Sequence, residues 1–243
     1  CLTLPSRNAM PIDLNSVRSR NPAAAQAQGD LGFRAYIHSV YSYMSIGLAL
    51  TGLVAWFTFS SGLFMTIART PLVYVVMFAP LAMVMFLSFR LQKMSVGAAQ
   101  LSFWIYAALM GLSLSFIFMA YSGQSIARVF FVTAGTFGGM SLYGYTTKSD
   151  LTRWGSFLMM GLFGVIIASV VNIFLHSTAL QMTVSVMGVI VFVGLTAYDT
   201  QNIKRMYYMA GSQDDVGRFA VMGALQLYLD FINLFLMLLR LFG

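Results

Sequence analysis

Leu227–Leu236 reads LYLDFINLFL. Eight of the ten residues are apolar or aromatic, one is the neutral Asn233, and the carboxylate Asp230 sits among them. The run is part of a longer apolar stretch, LQLYLDFINLFLMLLRLFG, over Leu225–Gly243. A span of that length and hydrophobicity fits the roughly 20 apolar residues a helix needs to cross a bilayer core. An ionised carboxylate there costs about 2.5–3.5 kcal/mol on insertion scales. A chain keeps such a group when it faces a cavity, a partner or an ion.

The rest of the chain has the same character. Of its 243 residues 59% are hydrophobic and 9% charged, whereas a soluble domain carries about 25% charge. So few charges cannot coat a water-soluble surface, and the chain reads as membrane-embedded. Seven apolar runs follow one another, roughly 36–59, 72–90, 98–120, 126–146, 154–175, 180–203 and 218–242. The expected fold is therefore all-α, a polytopic bundle of seven transmembrane helices over residues 31–243. Residues 1–30 are polar and read as a flexible cytoplasmic tail. Its start, CLTLPSRNAM, precedes the first Met at Met10 and receives no structural role.

Charge placement gives an orientation. The tail and the 2–3, 4–5 and 6–7 loops hold eleven of the 14 Lys and Arg residues, and the opposite side holds Arg69, Arg128 and Arg240. This positive-inside bias puts the N-terminus in the cytoplasm and the C-terminus outside. A net charge of +7 does not indicate nucleic acid, because the basic residues lie between apolar runs and form no stripe. One Cys and two His, Cys1, His38 and His176, provide neither an internal disulfide nor a clustered metal site. Gly135, Gly138, Gly139, Gly161 and Gly164 are expected to let helices approach closely, and the 18 Met to fill the core.

All seven acids are Asp, and two of them fall in or beside apolar runs. Gln226, Asp230 and Asn233 lie at i, i+4 and i+7, one stripe of the seventh helix. Thr196, Asp199 and Thr200 form a shorter stripe near the inner end of the sixth, within GLTAYDTQNIKRMY. Counted inward from Lys204 and Arg218, the two acids sit about 7.5 and 18 Å deep at 1.5 Å per residue, about 10 Å apart. Contact needs a helix offset the count does not supply. If they meet, repulsion and desolvation favour one proton shared by both, a pH-sensitive latch between two helices. If they do not, each merely hydrogen-bonds within the bundle.

A cation is the other way to satisfy two carboxylates. Calcium takes about six to eight oxygens at 2.3–2.6 Å, and Asp199, Asp230, Asn233, Gln226 and Thr196 offer part of such a shell, suited to weak binding or passage. Arg90, at the inner end of the second run, is either a fixed counter-charge for the acids or an interfacial cation on an extended stem. Enzyme chemistry finds little support: no Walker, GxSxG or HExxH pattern occurs, and no membrane-buried Lys is expected for a Schiff base. AYDT satisfies one half of an intramembrane aspartyl protease signature, but LYLD lacks the GxGD of the other. No tightly bound cofactor is expected.

LTAYDTQNIK in the sixth run, LQLYLDFINLFLMLLRLFG in the seventh and MSVGAAQ after the second closely resemble the bacterial branch of the transmembrane Bax-inhibitor-motif family, over roughly residues 30–243. The resemblance implies a bundle whose seventh helix is wrapped by the other six. It implies a pH-sensitive calcium leak channel whose sensor is the pair Asp199 and Asp230, contacted by an arginine of the second helix, for which Arg90 is the candidate. It also implies a bacterial cytoplasmic membrane, with lipid, calcium and protons as partners. Some members carry an acid on the second helix; this chain has Pro80 and no acid there. Two other classes stay open: a proton-coupled secondary transporter, and a non-conducting membrane protein that regulates others.

Overall fold

Long apolar runs punctuated by serine, glycine and proline fold into helices joined by tight turns. The computed structural model describes residues 22–243, with side chains from residue 29. Its helices are α1 (Pro22–Ser60), α2 (Leu63–Ala68), α3 (Leu72–Arg90), α4 (Val96–Leu114), α5 (Ile117–Ala120), α6 (Gly123–Thr146), α7 (Thr152–Leu175), α8 (Thr178–Met209) and α9 (Gln213–Phe242). A 3-10 turn, Leu91–Lys93, extends α3. No strand occurs among the described residues. Seven segments are long and apolar enough to cross a membrane: Gly29–Ser60, Leu72–Lys93, Val96–Ala120, Gly123–Thr146, Thr152–Leu175, Thr178–Met209 and Gln213–Phe242.

The starts are written locally. Ser95, Ser122, Ser177 and Ser212 each sit in extended backbone just before a helix and accept a hydrogen bond from the amide three residues on, at 3.1–3.3 Å. This satisfies one of the free donors every helix start leaves. Two differences from the sequence reading matter. The expected tail is already helical from Pro22, while residues 1–21 lie outside the described part. The sixth helix also runs on to Met209 and the seventh begins at Gln213, so only Ala210–Ser212 separates them.

The outer helices present apolar side chains to the surroundings. Phe89, Phe131, Ile167 and Phe174 are 63–79% exposed, as lipid-facing positions are. Helix α9 differs from the rest: 72% of its apolar window is buried, against 11–39% in the other six spans. It packs on α1, α4, α6 and α8. Tyr228 fastens it, with its ring edge-on to Phe103 and Tyr106 at 5.9 and 5.5 Å. The Tyr228 hydroxyl lies 2.6 Å from that of Thr51, which donates to the Ala107 carbonyl at 2.9 Å. One buried node thus joins α1, α4 and α9.

The expected packing glycines are mostly not the ones used. Gly135, Gly138, Gly139 and Gly164 have nothing within 4 Å of where a Cβ would stand, and only Gly161 meets a neighbour, Val191. The closest helix approach is at Gly144, where a Cβ would stand 2.2 Å from the Ala197 carbonyl oxygen. That contact brings α6 against α8 two residues before Asp199.

Candidate functional site: the aspartate contact between α8 and α9

Asp199 and Asp230 project from antiparallel neighbours. Gly223 packs on Ile203 and Met237 on Gly188, which fixes the register: Thr196, not Asp199, lies level with Asp230. The remaining offset is three residues, about 4.5 Å along the axis. Side chains on a helix lean toward its N-terminus. On antiparallel helices Asp199 therefore leans toward the level of Asp230, and Asp230 toward that of Asp199. The carboxyl groups come within hydrogen-bonding reach of each other.

The surroundings supply no positive charge. Asp230 is 4% exposed, and its Oδ2 is fully buried with no N–H or O–H donor directed at it. Asp199 is partly exposed. Two ionised carboxylates offer only acceptors. Their contact is a hydrogen bond when one holds a proton and a like-charge contact when neither does.

The other residues read from the sequence divide. Thr196 is fully buried and donates to the Phe192 carbonyl at 2.8 Å; the Asn233 amide donates to Leu229 at 2.8 Å. Both side chains are committed to their own helix. Gln226 keeps a buried Oε1 without a donor and lines a small cavity of about 120 Å³ with Ser88 and Gln92 at the end of α3. Arg90 does not join the acids. It is exposed at the C-terminal end of α3 and forms no ion pair with Asp199 or Asp230. Leu87 and Leu91 take the buried positions of that turn, and the arginine faces out, as an interfacial cation does. Among the described residues no three His, Cys, Asp or Glu side chains gather, so any cation here would meet two acids and neutral oxygens.

The sixth-helix motif also does work that sequence reading missed. Gln201 accepts from the Leu151 amide at 2.9 Å and donates to the Ser149 carbonyl at 2.8 Å. Lys204, expected in a loop, lies within α8 and donates to the Tyr145 carbonyl at 2.6 Å. Arg205 pairs with Asp150 and hydrogen-bonds Thr152. The TQNIKR half of the motif thus clamps the α6–α7 loop, while its Asp faces α9. The polar run Thr200–Gln201–Asn202 just ahead of Lys204 and Arg205 is the available signal. On the other face of α8, Thr200 lies 3.0 Å from Ser141, which hydrogen-bonds Tyr41.

Comparison with known proteins bears on this geometry. A family described as "Inhibitor of apoptosis-promoting Bax1" matches residues 33–243. The chain is 50% identical over 216 residues to inner membrane protein YbhL of Escherichia coli K12, covering 87% of this chain and 92% of that protein. It is 49% identical over 216 residues to protein RP147 of Rickettsia prowazekii, covering 88% and 91%. An uncharacterized membrane protein of Streptococcus pyogenes serotype M3, SpyM3_0260, is 35% identical over 226 residues, covering 92% and 98%.

Proposed function

Starting from a chain that belongs to the Bax inhibitor family and is an integral membrane protein, we propose that it is a pH-sensitive calcium leak channel gated by the Asp199–Asp230 contact. The observation that carries the reading is the meeting of two acids from neighbouring spans with no cation beside them. With one proton the pair ties α8 to α9. Without it, two negative charges repel across the helix interface and attract a cation.

Counted from the end of α8 at Met209, Asp199 lies about 15 Å into the helix. The basic loops lie at this same end, and their excess supports a cytoplasmic placement of that face, with the C-terminus outside. The name of the Escherichia coli relative supports the bacterial inner membrane as the location. The orphaned Gln226 Oε1 one turn below Asp230, beside the small cavity at α3, supports an ion approach from that face.

A proton-coupled transporter is the second reading. The Tyr41–Ser141–Thr200 hydroxyl chain, which reaches α8 at the residue following Asp199 though on another face of the helix, is the observation that favours it. Purified protein in calcium-loaded vesicles separates the two. A leak moves calcium down its gradient only, with a pH dependence lost in Asp230→Asn. A transporter moves substrate uphill when a pH gradient is imposed. Equal, pH-independent flux from wild type and Asp230→Asn rules out the gating role.

A further inference from the structure

Between α1 and α6 lies an open crevice of about 970 Å³, near the upper end of the roughly 300–1,000 Å³ typical of small-molecule sites. Small residues, Ser45 and Ala49 on α1 and Gly138 and Ser141 on α6, stand among larger apolar ones in its walls, with Phe231 of α9 as part of the floor. Gly138 has nothing within 4 Å of its Cβ position, so the wall faces open space. The surroundings of these spans are lipid, and a long apolar crevice open to lipid admits an acyl chain.

One end of the crevice carries charge. Tyr145, which lines it, stacks on Phe33 at 6.3 Å. The Lys204 ammonium lies 5.2 Å from the Tyr145 ring centroid. That ammonium gives one hydrogen bond to the Tyr145 carbonyl and has two further donors. Arg34 is exposed and stands at i−3 from Ile37 and i−7 from Tyr41, on the α1 stripe that lines the crevice. Asp30 lies one turn further out. Apolar walls leading to two cations match one chemistry, a lipid tail with a negatively charged head.

We propose that the α1–α6 crevice is a binding site for an anionic phospholipid, its acyl chain along Ser45, Ala49 and Gly138 and its phosphate at Lys204 and Arg34. The site is independent of the aspartate contact. The test uses the whole protein in vesicles doped with phosphatidylglycerol or phosphatidylcholine of identical chains, each carrying a mid-chain photoreactive group. Wild type is expected to crosslink phosphatidylglycerol within 45–53 and 134–142, on the order of tenfold more than phosphatidylcholine, as two basic side chains near a negative headgroup would give. Gly138→Leu should fill the crevice and abolish that crosslink; Ser45→Leu is the second variant if the first does not fold. Arg34→Gln with Lys204→Gln should equalise the two lipids. Equal crosslinking of both lipids by wild type, labelling unchanged by both crevice-filling variants, or crosslinks to a second copy of the chain would each overturn the proposal.

Discussion

The carboxyl groups of Asp199 on α8 and Asp230 on α9 meet inside the bundle with no basic side chain beside them. Buried acids are ordinarily matched by a cation or by several amide donors. Here the acids have each other. A proton is then the smallest change that converts the contact from repulsive to attractive, and both helices register it.

The close approach of α6 to α8 should be intolerant of any side chain. Gly144→Ala puts a methyl into the Ala197 carbonyl, and a backbone atom cannot rotate away. A loss of about 1–3 kcal/mol is expected, read as a lower melting temperature in detergent. Gly139→Ala, at an open position, is the control and should melt as wild type does.

The Tyr228 node should prove structural. Tyr228→Phe removes the hydroxyl paired with Thr51 but keeps the ring stack, and Thr51 retains Ala107 as acceptor. The expected cost is about 0.5–1.5 kcal/mol, measured by denaturant or thermal unfolding, with the pH dependence of calcium flux unchanged.

Gln201 should hold the α6–α7 loop. Gln201→Leu strands the Leu151 amide and the Ser149 carbonyl. Leu151 is buried, and leaving its amide unpaired costs about 1–3 kcal/mol, whereas the carbonyl of exposed Ser149 can turn to water. Hydrogen exchange at Leu151 should accelerate markedly, while amides in the middle of α9 exchange as before.

The loop acid Asp150 has its own pH window. Hydrogen bonds from the Thr152 hydroxyl at 2.5 Å and amide at 2.9 Å, with Arg205 beside it, hold its carboxyl down at about 2, against about 3.9 for a free Asp. A depressed value means the contribution is present above the unfolded pKa and is lost as pH falls through the folded one. Loop anchoring should therefore persist at pH 5 and weaken between about 4 and 2. Carbon NMR of the Asp150 carboxyl should place its midpoint near 2. Thr152→Val should move it up further than Arg205→Gln, since Thr152 is the larger cause.

The seven spans are legible because lipid demands continuous apolar length, and each observed span contains its expected run in full. The sixth run was cut short at 203 because Lys204 and Arg205 look like loop charges. They stay helical because their side chains reach the end of α6 and the loop after it. The packing glycines were misread because a small residue facing lipid and one facing a helix look alike in sequence. The two acids stand out in the sequence as carboxylates within apolar runs, but residue counting leaves them about 10 Å apart. Counting assumes equal depth from the turn and no side-chain lean. The register set by Gly223 and Gly188, and the opposed tilt of the two side chains, close that distance. Arg90 was given two roles by its position at a helix end, and the face it occupies selects the outward one.

The most direct test of the central claim is infrared difference spectroscopy of the protonated-carboxyl band near neutral pH. Wild type is compared with the Asp199→Asn/Asp230→Asn double variant, using carbon-labelled aspartate to assign the band. The account predicts one protonated carboxyl in wild type, absent from the double variant and lost as pH rises in step with the change in calcium flux. A wild-type spectrum identical to that of the double variant would mean that the two acids share no proton, and would contradict the gate.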